Sequence, residues 1–155
     1  MRGPMRILRP ILVAVALAAV ASASPALAGK APVYTGLFGN VAVGGYDPVA
    51  YFTDGRPVPG TRQFTATHKG ALYRFATAAN RNAFLAQPDR YVPQYGGYCA
   101  WAVSQGYTAS GDPRVWKIVN DKLYLNYNAE IGRRWEHDIP GHIRRADANW
   151  PKVLG

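Results

Sequence analysis

Cysteine is almost absent from this chain: Cys99 is the only one in 155 residues. A lone cysteine cannot close an internal disulfide, so no disulfide framework holds the fold. Acidic residues are scarce too, 9 Asp and Glu against 18 Lys and Arg. With few carboxylates, paired-acid chemistry has little to draw on. Also missing are the Gly-x-Ser-x-Gly elbow, the phosphate-binding loop, the dinucleotide fingerprint and the metalloprotease helix. Ser104 has no base near it in sequence. An enzyme is therefore the less favoured class. Beyond the start of the chain there is no apolar run long enough to span a bilayer, which takes roughly 20 residues.

What is present begins with an export signal. Arg2, Arg6 and Arg9 are followed by the apolar run Ile11 to Val20 and then by Ala26-Leu27-Ala28, the small-x-small pattern of signal peptidase. The expectation is a signal peptide over residues 1–28, cut after Ala28, and a periplasmic or secreted product starting at Gly29. Pro25 and the shortness of the run argue against a retained anchor, and no cysteine stands near the cut to take a lipid. Setting aside the three leading arginines leaves six more basic than acidic residues. They are scattered, with Arg133-Arg134 and Arg144-Arg145 the adjacent pairs, whereas nucleic-acid binding usually needs a stripe. The charge reads as solubility.

Residues 29–155 are expected to form one α+β domain. Phe64 to Thr67 and Leu72 to Phe75 read as strands around a Lys69-Gly70 turn, and Thr77 caps a helix from Ala78 to Gln87 stopped by Pro88. In that helix Ala79, Ala83, Phe84 and Ala86 are the candidates for the core face. The same grammar returns. Val115 to Val119 and Leu123 to Asn126 flank Asn120-Asp121, and Asn128 caps a helix from Ala129 to about His137. Tyr73 matches Tyr124, and Phe84 matches Trp135. Two hairpin-plus-helix units follow, with a last helix from Pro140 towards Trp150.

Between the units, Tyr95-Gly96-Gly97-Tyr98-Cys99-Ala100-Trp101 begins flexible and becomes helix-compatible, with Gly106 as a stop. Cys99 would sit in the first turn, where the helix dipole favours a thiolate and lowers the thiol pKa. Gly96-Gly97 would let a ligand approach, and Tyr51, Tyr95, Tyr98 and Trp101 could wall a pocket. The opposite reading is a small buried hydrophobe, since free cysteine is among the most buried residue types. His68, beside the first hairpin turn, could fold over the glycine-rich segment. His137 and His142 read as surface histidines. Asp47, before Pro48, caps a turn or serves as a metal ligand or pocket acid.

Gly45-Tyr46-Asp47-Pro48-Val49-Ala50-Tyr51-Phe52, Tyr73-Arg74-Phe75 and Asn82-Ala83-Phe84 through Pro88-Asp89-Arg90-Tyr91 resemble a YHS domain. Tyr95-Gly96-Gly97-Tyr98-Cys99-Ala100, Leu123-Tyr124-Leu125-Asn126-Tyr127-Asn128 and Asp147-Ala148-Asn149-Trp150-Pro151 narrow the resemblance to exported YHS domain-containing (seleno)proteins. It covers nearly all of residues 29–155. The resemblance implies metal handling, copper included. In such modules a cysteine follows Asp-Pro-Val and another follows the Tyr-x-Phe strand; here those places hold Ala50 and Ala76. It also implies that some relatives carry selenocysteine, with Cys99 the residue here that could correspond.

Three readings follow. The first is a binding protein that takes a soft metal such as copper, or another ligand, through Cys99 with His68. The second is a thiol redox protein that depends on an external reductant, since no resolving cysteine is present. The third is an interaction domain with an aromatic pocket for a small ligand or peptide.

Overall fold

In a computed structural model, residues 29–37 and 39–155 are described; the expected signal peptide lies outside them. The fold is a mixed α+β domain in which one motif occurs twice. The first copy has a 3₁₀ turn Ala42–Gly45, a short helix α1 (Ala50–Thr53), strands β1 (Thr61–His68) and β2 (Ala71–Phe75), and helix α2 (Ala78–Ala86). A connecting helix, α3 (Pro88–Tyr91), leads to the second. That copy has a 3₁₀ turn Gln94–Gly97, helix α4 (Ala100–Ser104), strands β3 (Asp112–Val119) and β4 (Lys122–Asn126), and helix α5 (Ala129–Glu136). Helix α6 (Ile139–Asn149) closes the domain.

Each hairpin is a separate two-stranded antiparallel sheet. Ala66 faces Tyr73 across the first, Lys117 faces Tyr124 across the second, and each has a bulge near its outer end. A two-stranded ribbon is marginal alone and needs something packed on it. Here α2 and α5 do the packing. Thr77 accepts from the Asn80 N–H and Asn128 from the Ile131 N–H, so each helix starts on a side-chain cap. Phe84 and Trp135 are both buried, against Tyr73 and Tyr124 respectively, as the sequence echo implies. On α2, however, Ala79 and Ala86 face solvent. Phe84 alone is large enough to fill the space over the sheet.

One core is shared. Leu123 and Leu125 of β4 pack among Tyr51, Tyr73, Phe75 and Phe84 of the first copy. The Tyr51 hydroxyl donates to the Pro113 carbonyl at 2.6 Å, tying α1 to β3. Helix α6 lies on α4, joined by the Ser104 hydroxyl and His142 Nδ1 at 2.8 Å. His142 is thus buried, not a surface histidine, whereas His137 is exposed. No described helix is long and apolar enough to cross a membrane.

Candidate functional site

The two 3₁₀ turns fix the positions that matter. Val43, Gly44 and Gly45 have φ of 54°, 57° and 82°; Tyr95, Gly96 and Gly97 have 55°, 61° and 85°. This left-handed course is unusual for a non-glycine residue and natural for the glycines after it. It turns the next two residues inward, Tyr46-Asp47 in one copy and Tyr98-Cys99 in the other. The Asp47 N–H then donates to the Val58 carbonyl at 2.8 Å and the Cys99 N–H to the Ala109 carbonyl at 2.9 Å.

Asp47 is fully buried and fully engaged. Its Oδ1 accepts from the N–H groups of Val49 and Ala50 at 2.8 and 3.3 Å; its Oδ2 accepts from the Ala76 N–H and the Asn80 amide, both at 2.8 Å. Four donors occupy the lone pairs a ligand would use. Asp47 is therefore a turn cap and not a pocket acid. Ala50 and Ala76, where the YHS resemblance expects cysteines, converge on this same carboxylate and bring no sulfur to it.

Cys99 is also wholly buried, as the N-cap residue of α4 and not within its first turn. Its thiol lies 3.6 Å from Asn126 Oδ1, which also accepts the Trp101 N–H at 3.0 Å. Burial pushes the thiol pKa up, opposed by the backbone N–H groups of Ala102, Tyr127 and Trp101. The expected lowered pKa is thus reversed. A five-residue helix offers little dipole, and desolvation of a thiolate outweighs it.

Cys99 forms part of the lining of a cavity of about 280 Å³, together with Trp101, Tyr107, Tyr127, Asn128 and Ile131. Tyr107 and Tyr127 are 48% and 52% exposed, so the aromatic rim is open to solvent. Trp101 meets Tyr107 edge to face, with ring centroids 6.3 Å apart. The space is mostly apolar; the polar groups of its lining residues are the Cys99 thiol, the Asn128 amide, the Tyr107 and Tyr127 hydroxyls and the Glu130 carboxylate, which is paired with Arg134.

The remaining expected site residues are dispersed. His68 lines a second cavity of about 300 Å³ with Tyr95 and Gly96. The hairpin tip therefore does reach the glycine-rich segment, but Cys99 does not line that cavity. His68 packs edge-on against Tyr73 and Phe84, and its Nε2 lies 3.4 Å from Asp89 Oδ1 without the alignment of a hydrogen bond. Tyr95 donates to Asp147 at 2.8 Å; burial and that contact push its pKa up. Tyr98 lines a third cavity and donates to the Ala31 carbonyl. Tyr51 is a core residue, and Gly97 belongs to the turn. Of the expected site residues, Cys99 and Trp101 share the first cavity, and His68, Tyr95 and Gly96 share the second. Tyr107, Tyr127, Asn128 and Ile131 complete the first, and Asn128 and Ile131 were visible in sequence only as the opening of a capped helix.

The donors do not suit a closed copper centre. Among the described residues no three of His, Cys, Asp and Glu gather, and the one soft donor is separated from the one candidate imidazole.

Residues 49–95 match the family model of the YHS domain, a domain associated with metal, including copper, binding. The match ends four residues before Cys99 and contains Ala50, His68 and Ala76. No curated protein and no solved structure matches the chain.

Proposed function

We propose that this chain, a YHS domain-containing protein, is an exported binding protein whose ligand site is the aromatic cavity lined by Cys99. The observation that carries the reading is the coincidence of the only thiol with an open-rimmed apolar cavity. Small-ligand sites are commonly apolar hollows of roughly 300–1,000 Å³, and this one, at about 280 Å³, falls just below that range and suits a small ligand. The ligand is small, flat and apolar, with a soft atom or electrophilic centre that meets the sulfur. A soft cation belongs to this site only as an adduct of Cys99 completed by donors from outside the chain, since His68 lies elsewhere. Arg2, Arg6, Arg9, the apolar run and Ala26-Leu27-Ala28 support export to the periplasm or beyond.

The test uses two disulfide reagents of matched leaving-group acidity, one aromatic and uncharged, one aliphatic and charged. Native protein should form the Cys99 adduct preferentially with the aromatic reagent, and Trp101→Ala should abolish the preference. Equal reaction with both, or reaction only after unfolding, contradicts the reading.

A further inference from the structure

The cavity of about 300 Å³ at the first hairpin tip is separate from the Cys99 site, since Cys99 does not line it. Part of its wall is aromatic: Tyr95 and Trp150 line it with ring centroids 5.9 Å apart, and Val33 and Pro93 add apolar surface. The rest is polar, from His68, Lys69, Tyr73 and Asp89. Tyr51, Tyr95 and Tyr98 each donate their hydroxyl to a protein acceptor. The Tyr73 side chain is 1% exposed and lines the cavity, and its hydroxyl has no hydrogen-bond partner among the described residues. Burial pushes its pKa up to about 12, so the O–H keeps its hydrogen and is a donor. His68 Nε2 is buried and makes no hydrogen bond. It faces Asp89 Oδ1 at 3.4 Å. A ring lone pair would be repelled by that oxygen, so Nε2 carries a hydrogen. Lys69 Nζ lies 3.6 Å from the same Asp89 oxygen.

Three donors therefore line one hollow, and the acceptor that two of them share fits poorly. Charge-assisted N–H···O bonds close to about 2.7–2.9 Å. Both contacts of Asp89 are longer than that. Its side chain is 80% exposed, and exposed pairs of this kind are weak. Tethered to the four-residue helix α3, it meets two nitrogens at long range and leaves the Tyr73 hydroxyl without an acceptor. A carboxylate free of the chain is under no such constraint.

We propose that this cavity is a second ligand site, for a small organic carboxylate with an apolar or aromatic body. The ligand carboxylate takes the place of Asp89 between His68 Nε2 and Lys69 Nζ and accepts from the Tyr73 hydroxyl. Its body lies against Tyr95 and Trp150, and the Asp89 side chain turns out into solvent. The aromatic wall favours an organic anion over an inorganic one, which would leave that wall uncovered. The excess of basic over acidic residues draws anions towards the domain. The volume is at the lower bound for small-ligand sites, which limits the body to about one ring.

The sign of one substitution separates a stand-in from a ligand-binding group. Isotope-labelled protein is titrated with benzoate, with its uncharged counterpart benzamide and with inorganic phosphate, and dissociation constants are read from backbone amide shifts in NMR spectra. Benzoate should shift the amides of Lys69, Tyr73 and Gly96, and benzamide and phosphate should each bind at least tenfold more weakly. Asp89→Ala removes the internal competitor and should bind benzoate at least threefold more tightly than wild type. Lys69→Asn suits the left-handed φ of 48° at that turn position, and Tyr73→Phe keeps the packed ring. Each should weaken benzoate binding at least threefold. Weaker binding by Asp89→Ala would overturn the inference, because Asp89 would then be part of the binding site. Benzamide or phosphate binding as tightly as benzoate would overturn the ligand class. No saturable shift at these amides, in wild type and in Asp89→Ala alike, would overturn the site. None of these results bears on the Cys99 cavity, which the disulfide reagents test.

Discussion

Asp47 and Cys99 stand at the same point of two repeated turns, Gly44-Gly45-Tyr46-Asp47 and Gly96-Gly97-Tyr98-Cys99, and each is fully buried behind a left-handed glycine pair. One position carries a carboxylate with four donors, the other a thiol beside a cavity. The first copy is closed by its own side chains, and the second leaves a cavity beside Cys99.

That division predicts unequal sensitivity to truncation. Asp47→Ala orphans three backbone N–H groups and the Asn80 amide, at a cost of about 1–3 kcal/mol for each group that water cannot reach. A total loss of at least about 3 kcal/mol in urea unfolding is expected. Cys99→Ala removes one small side chain from the edge of a cavity and should cost only about 1–2 kcal/mol.

Trp135 closes the second copy as Phe84 closes the first. It is 1% exposed and stacks at a tilt on Tyr124, with ring centroids 5.3 Å apart. Trp135→Ala should cost about 3–5 kcal/mol by the same measurement. A loss below about 1 kcal/mol would mean that α5 does not rest on the second hairpin.

His142 makes the domain sensitive to acid. Its ring faces Ser104 of α4, and on its own helix Arg145 donates to Nδ1 at 3.1 Å, with Asp138 at the helix start. Burial first, then the Arg145 charge, pushes its pKa below the ordinary histidine value; Asp138 and an Arg134 backbone contact oppose this. The unfolded chain therefore binds the proton more tightly than the folded one. The contribution to stability is complete above the unfolded histidine pKa of about 6.5 and is lost as pH falls from there towards the lowered folded value. His142→Gln should flatten the loss of melting temperature between about pH 6.5 and 5. An unchanged slope would assign the acid sensitivity to another group.

Much of this fold is legible in the sequence. Apolar alternation around Lys69-Gly70 and Asn120-Asp121, with Thr77 and Asn128 as caps, places both hairpins and both helices within a few residues. The repeat of the glycine turn is harder to see. Asp47 corresponds to Cys99, but Asn80 corresponds to Ile131 and Phe84 to Trp135, so the spacing between turn and hairpin differs by one residue. A fixed-offset overlay of the hairpins misses the turns. The Ser104–His142 contact was equally hidden, because it depends on α6 folding back over α4. The direction of the Cys99 pKa is not legible in sequence, because residue order gives a cysteine's place near a helix but not the desolvation around it.

The export proposal has a direct check outside the described residues. N-terminal sequencing of material recovered from the periplasm or medium should begin at Gly29. A product retaining Ile11 to Val20 would contradict a soluble exported protein.

The measurement closest to the central claim is the rate at which Cys99 in the native protein reacts with an uncharged aromatic disulfide, followed over reagent concentration and pH. If the thiol meets ligands through its cavity, the rate should rise linearly with reagent and exceed the rate of global unfolding. It should also keep rising at pH values more than about one unit above the free-cysteine pKa of about 8.5, where a free cysteine has levelled off, because burial keeps the thiol protonated. A rate that reaches a plateau at the unfolding rate, whatever the reagent concentration, would make Cys99 a core residue and contradict a binding site there.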